Sequence, residues 1–224
     1  MIVDIDHMSH KSVEQVLALA EGIPGGGYPL LSGHSGIRTQ NLPGVDAENS
    51  RTRAQLQRIA CLGGMFGLGT DAAQAYEWAR QYADAFNEMG KPTVLCRDKT
   101  GLGLGRVAFG TDTNSIVTTP RPPMADLNPG FKPAAIGRPT DLYNPNNRGF
   151  PQTRSTTGGK TWDYNVDGVA HYGMYADFIK DVRSAPVNQG MSGADLVDNH
   201  LMRSADYFWH MWQRIEAQKS RIPQ

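Results

Sequence analysis

Charge of one sign is the first thing this sequence lacks. Its 22 basic side chains balance 22 acidic ones, for a formal net charge of zero. That balance favours neither nucleic acid nor an anionic membrane as a partner. Long apolar runs are missing too. No stretch approaches the roughly 20 residues needed to span a bilayer, and the first residues lack the basic-then-apolar pattern of a signal peptide. No transmembrane segment is expected, and the compartment stays undetermined. Cysteine is scarce: Cys61 and Cys96 stand alone in apolar surroundings. They are expected to be reduced core residues, with no CxxC pair to suggest a metal site. Internal repeats, low-complexity tracts and clear linkers are also absent. With 224 residues and 39% hydrophobic side chains, the chain reads as a single domain over 1–224.

What is present begins with "VDIDHMSH" at 3–10, where an apolar run ends on Asp4, Asp6 and His7, groups that are costly to bury. Residues 1–6 read as a strand, and Ser12 with Gln15 reads as a capping box for a helix over 12–21. A glycine-rich turn at 24–27 leads into a strand over 28–33. A helix over 52–62 follows, with Leu56, Ile59 and Ala60 inward, and then a strand over 63–69. Next comes an amphipathic helix over 71–89, with Tyr76, Ala79, Ala83, Phe86 and Met89 on one face, and a strand over 106–112. The alternation predicts an α/β fold with right-handed crossovers and a parallel sheet. Residues 113–165 break it: eight of the 14 prolines fall between Pro120 and Pro151, which predicts a long lid-like loop. Helices are expected over 171–183 and 193–218, the last with Leu196, Leu201, Ala205, Phe208, Trp212 and Ile215 in a stripe. "GLGLG" at 101–105 precedes a strand instead of joining a strand to a helix, which argues against a nucleotide loop.

Three predicted strands end on groups that chemistry can use: Asp6-His7, His34 in "SGHSG", and Asp112 in "GTD". Parallel α/β folds bind ligands at the carboxyl ends of their strands, where loops vary freely. Imidazoles on neighbouring strands can converge on one metal ion, and a carboxylate nearby can handle the proton of metal-bound water. His171, after the proline-rich loop, is a possible further contributor. His10 is expected in solvent on the first helical turn, and His200 and His210 on the surface or in packing.

Taken in order, "VDIDHMS", "LLSGHSG", "GGMFGLG" and "RVAFGTDTN" resemble the membrane (renal) dipeptidase family of zinc peptidases, among the amidohydrolase-type barrels. The resemblance runs from residue 1 to about 115 and returns more weakly in "DGVAHYGMYADFIKDV". It implies that His7 and His34 bind one of the family's two zinc ions and that Asp112 moves the proton of the attacking water. It further implies an arginine that receives the substrate carboxylate; Arg38, Arg51 and Arg53 are available, with Arg51 favoured. Asp4 would orient a ligand from behind. The chain departs from the family in having no His-x-Asp pair and no obvious strand-end glutamate, so at most one zinc is expected here.

About four βα units are found where a closed (β/α)8 barrel of the TIM type needs eight. The expectation is therefore a partial barrel, its C-terminal half, with the long proline-rich loop and the C-terminal helices. The expected function is zinc-dependent cleavage of a peptide or amide bond in a small dipeptide-like substrate. The alternatives are hydrolysis of a lactone, phosphoester or cyclic amide, or a non-catalytic half-barrel remnant. Exposed sheet edges would drive self-association or pairing with a missing N-terminal half.

Overall fold

The computed structural model describes residues 1–38, 50–71, 73–91, 106–113, 119–122, 154–185, 187 and 190–219. The "GLGLG" stretch, Cys96 and most of the expected loop over 113–165 lie outside them. The chain divides into two compact units. One comprises Met1–Gly69, Asp84–Thr111 and Leu201–Gln224; the other comprises Thr70–Ala83 and Asp112–His200.

The first unit is built on a parallel three-stranded sheet in the order β1 (Leu31–Ser35), β2 (Met65–Gly69), β3 (Arg106–Gly110). Helix α1 (His10–Gly22) precedes β1, α2 (Arg53–Cys61) links β1 to β2, and α3 (Ala75–Gly90) links β2 to β3. This is a mixed α/β arrangement with the predicted alternation. The predicted strand over 1–6 is reduced to one parallel bridge between Asp4 and Leu31. Ile5 N–H donates to the Leu31 carbonyl (2.9 Å) and Leu31 N–H to the Val3 carbonyl (3.0 Å). Asp4 ends the pairing because its Oδ1 takes the Asp6 N–H (3.0 Å), turning the chain into an Asx-type turn.

Helix α1 starts two residues earlier than predicted. Its cap is Ser9, whose hydroxyl accepts the Ser12 N–H, so Ser12 lies inside the helix. Helix α2 carries a full capping box: Thr52 accepts from Gln55 N–H (3.2 Å), and Gln55 Oε1 accepts from Thr52 N–H (3.0 Å). Register within the sheet is tight. The strand β1 slips between Ser32 and Ser35, and the Gly33 carbonyl lies only 2.0 Å from where a Cβ on Gly67 would be, and 2.1 Å for Gly110. Glycine is therefore required at both positions. The core of this unit gathers Ile5, Val13, Leu17, Leu56, Ile59, Phe66, Leu68 and Val107. Cys61, at the end of α2, is disulfide-bonded, which corrects the expectation of a reduced thiol.

The second unit is held by an aromatic cluster. Trp78 on the first half of α3 meets Tyr82 (centroids 5.3 Å apart) and Phe178 (5.9 Å). Trp78 and Tyr82 are fully buried, whereas the predicted inward residue Tyr76 is only half-buried; the helix is turned so that the larger rings pack. A hairpin of β4 (Ser155–Thr157) and β5 (Lys160–Trp162) turns on Gly158 and Gly159, both at positive φ (61° and 77°). Two consecutive left-handed residues make the tight turn whose twist suits a two-residue hairpin. Then follow α4 (Tyr164–Asp167), a 3-10 turn at Tyr172–Met174, α5 (Tyr175–Ser184) and the short α6 (Gly193–Asp195).

The predicted helix over 193–218 is not one helix. After α6 it passes through a π turn (Leu196–His200) and a 3-10 turn (Leu201–Arg203) before α7 (Ser204–Gln218). Each change of winding shifts the angular advance per residue, so a stripe drawn at constant pitch drifts. Met211, Ile215 and Gln218 are buried, while Phe208, predicted inward, is 40% exposed. In the first unit, Arg214 and Gln218 of α7 donate to the Gly26 and Gly25 carbonyls of the glycine turn (2.7 and 3.0 Å).

Candidate functional site

The first unit carries a histidine pair. His34 lies in β1, and His7 follows the Asp4 bridge in the left-handed region (φ 60°). Their Nε2 atoms are 2.8 Å apart, with ring centroids at 4.9 Å and planes tilted by 47°. His7 is exposed and His34 half-buried, so the paired nitrogens open toward solvent. Behind them Asp6 is almost fully buried. Its Oδ2 sits 3.3 Å from His34 Nδ1 and accepts the His34 N–H, while Ser32 Oγ donates to its Oδ1. A carboxylate on Nδ1 places the imidazole proton there and leaves Nε2 as a lone-pair donor. Asp4, expected in that supporting role, instead accepts the backbone N–H groups of Asp6 and Gly33. It shapes the turn, and Asp6 backs the ring. The signal for this was the Asp-x-Asp spacing, which puts Asp4 and Asp6 on one side of an extended chain.

The two histidines suit a single metal ion as two of four tetrahedral positions. About 3.3 Å separates two nitrogens that share a tetrahedral zinc, so the rings would part by only about half an ångström. Among the described residues no group of three or more His, Cys, Asp or Glu is arranged to hold a metal.

Arg51 and Arg38 are brought together beyond β1. Arg51 N–H donates to the Gly36 carbonyl and Arg38 N–H to the Arg51 carbonyl, both at 2.8 Å. Arg51 is fully buried, and its Nε donates to Ser35 Oγ (3.3 Å). Burial lowers the pKa of its guanidinium; the charges of Asp6 and Asp4 oppose that shift and Arg38 adds to it. Arg53 is elsewhere, clamped on Asp84 and Glu88 of α3. His10 is not simply solvated, because its Nδ1 meets Gln55 Nε2 at 3.2 Å.

Asp112 belongs to the second unit and stands two residues beyond the end of β3, at φ 48°. Asp71 occupies the equivalent place two residues beyond β2, at φ 36°. Together with His7 these are the non-glycine residues at positive φ among the described residues. Such conformations cost of order 1–3 kcal/mol each and persist where surroundings impose them, commonly at functional sites. Asp71 closes the same Gly-Thr-Asp triplet that marks Asp112, at 69–71 after β2 as at 110–112 after β3, and that repeat is the sequence signal for it. His171, also in the second unit, caps the 3-10 turn by accepting the Gly173 N–H on Nδ1 (3.2 Å). His200 pairs with Asp195 (3.6 Å), and His210 is exposed on α7.

Fold and site together define a mixed α/β protein whose parallel strands end in polar, backbone-strained residues. No family model and no curated protein matches the chain. Among solved structures it is similar to the crystal structure of an amidohydrolase from Pseudomonas aeruginosa, at 13% identity and a TM-score of 0.46. The match covers 95% of this chain and 53% of that one, so the chain spans about half the length of the structure it matches. A likeness at that level determines neither family nor chemistry. Among the described residues no helix is long and apolar enough to cross a membrane.

Proposed function

We propose that this chain is the C-terminal half of a (β/α)8-type metallohydrolase, resembling the membrane dipeptidases, and that the completed barrel cleaves a peptide or amide bond of a dipeptide-like substrate. The observation that carries this reading is the convergence of His7 and His34 on one point with the buried Asp6 carboxylate behind them. Paired imidazoles with a carboxylate support are the donor chemistry that zinc selects. Bound there, zinc would supply a polarising charge and a water of lowered pKa. His7 and His34 would hold the ion, Asp6 would fix the His34 tautomer, and the Asp112 carboxylate is the group of this chain suited to take and return a proton. Arg51, favoured in the sequence for the substrate carboxylate, is fully buried and anchors the loop after β1 through Ser35, which leaves the part-exposed Arg38 as the candidate for that role.

Two imidazoles leave half of the zinc shell to other donors, so hydrolysis belongs to the assembly with a second chain: a missing N-terminal half or another copy of this one. The test is zinc per chain, measured by elemental mass spectrometry after dialysis, with the His7→Ala/His34→Ala double variant alongside. About one zinc in the parent chain and none in the variant supports the reading. Zinc in neither would sink it and leave the non-catalytic remnant. Where zinc binds, a dipeptide panel assayed with the completed barrel and its Asp112→Asn variant tests the peptidase assignment against cleavage of lactones, phosphoesters or cyclic amides.

A further inference from the structure

The second unit contains two N–H donors, on neighbouring rings, that are sealed from water and have no acceptor among the described residues. One is Trp162 Nε1 at the end of β5, the other His171 Nε2 at the cap of the 3-10 turn. Their rings meet edge to face with centroids 6.4 Å apart. The tautomer of His171 follows from its other nitrogen. Nδ1 accepts the Gly173 N–H, so the neutral ring carries its proton on Nε2 and presents a donor there. An indole N–H can only donate. Burying either group without an acceptor is unfavourable, and burying both on rings in contact adds the two costs.

The charge around the pair indicates what the acceptor is. Lys160 places its ammonium 3.7 Å from the Trp162 ring centroid, with Asp167 Oδ1 at 3.4 Å from the same nitrogen. Arg154 is paired with Asp163 (2.9 Å). Asp163 and Asp167 therefore already have cationic partners, and a positive group leans over the indole. We infer that Trp162 and His171 form a binding site for a small oxyanion, a carboxylate or a phosphate, whose oxygens accept both N–H groups under the field of Lys160. The inference is independent of the histidine pair in the other unit, and the zinc measurement and the experiment below can fail separately.

The hairpin explains how such a site is built. Gly158 and Gly159 close β4 on β5 in the shortest turn available, and Thr156 Oγ1 meets Thr161 Oγ1 across the pair (3.1 Å). That sets the register placing Lys160 and Trp162 on the same side of β5, two residues apart. On the His171 side, the main-chain bond from Val169 N–H to the Pro120 carbonyl (3.0 Å) holds the approach to the cap.

The experiment is a titration of the native chain followed through the indole N–H resonances of its four tryptophans. Trp162 is assigned by its cross-peaks to the His171 ring, so the assignment requires no variant to fold. N-acetylglycine and inorganic phosphate are added separately, up to tens of millimolar. A saturable downfield shift confined to Trp162 supports the site, and the anion giving the tighter curve identifies its chemistry. His171→Asp keeps an acceptor for the Gly173 N–H but removes the Nε2 donor and adds negative charge; it is expected to abolish the shift. Lys160→Met is expected to weaken binding about two- to fivefold. The inference is overturned if Trp162 moves with neither anion, or if it moves equally in the His171→Asp protein.

Discussion

Buried carboxylates in the two units live under opposite conditions. Glu88 in the first unit is 4% exposed, yet Arg53, Gln57 and Lys91 all donate to it. Desolvation works to raise its pKa, but those hydrogen bonds outweigh it and the net shift is downward. In the second unit Asp177 and Asp181, one turn apart on α5, are 4% and 3% exposed. Asp181 Oδ2 accepts the hydroxyl of the fully buried Tyr164 at 2.9 Å, while the Oδ1 atoms of both aspartates have no hydrogen-bond partner among the described residues. Desolvation dominates there and pushes both to about 6, with Lys180 opposing the shift of Asp177 and Asp163 adding to it. Equal burial thus has opposite consequences, depending on whether donors follow the charge inside.

The two units should consequently answer pH with slopes of opposite sign. A carboxylate lowered in the folded state contributes stability above its ordinary pKa and loses it as pH falls. One raised in the folded state contributes most below its ordinary value, and that contribution is lost as pH climbs through about 6. The largest effect is expected from Arg53→Ala, which strips the bidentate partner of Asp84 and one donor of Glu88. Urea unfolding at pH 7 should show a loss of about 2–3 kcal/mol, shrinking toward pH 4. An unchanged midpoint would show that Lys91 and Gln57 alone support Glu88.

Asp181→Asn comes next and runs the other way. It keeps an acceptor for Tyr164 and removes a charge that burial disfavours. A gain of about 1–2 kcal/mol is expected at pH 8 and almost none at pH 4, read from denaturant midpoints at the two pH values. A loss at pH 8 would mean that the charge is compensated after all, and the contrast between the units would fall. The smallest effect is Thr52→Ala, which opens the capping box of α2 at a cost of about 1 kcal/mol. Its cost should not vary between pH 5 and 8, so it serves as the uncharged reference against which the other two slopes are measured.

Several elements were legible before any coordinates. The helix over 52–62 shows itself in Thr52-x-x-Gln55 followed by apolar spacing, and the structure has it at Arg53–Cys61. The strands of 63–69 and 106–112 emerge as β2 and β3 within two residues at each end. Both rest on short-range causes, a cap and a pattern, that neighbours in sequence suffice to set. The hairpin at 155–162 is equally local, with two glycines between β-branched residues in "STTGGKTW", and it replaces the last part of the loop expected over 113–165. Of the candidate site, His7 and His34 were legible as strand-end histidines. The Asp-x-Asp spacing marked a supporting carboxylate without saying which, because Asp4 and Asp6 offer the same group and differ only in what lies across the bridge to β1.

By itself the sequence determined the alternation of helices and strands, the caps, the glycine turns and the histidines at the strand ends. These follow from backbone sterics, side-chain period and local hydrogen bonds, which act over a few residues. Tertiary structure alone decided which face of α3 turned inward, since Trp78 and Tyr82 needed partners such as Phe178 that lie a hundred residues away. It decided that Arg53 clamps helices while Arg51 is buried under β1, and which carboxylates went inside with donors and which without. Composition records how many charges a chain has. Only packing settles which of them lose water and what replaces it.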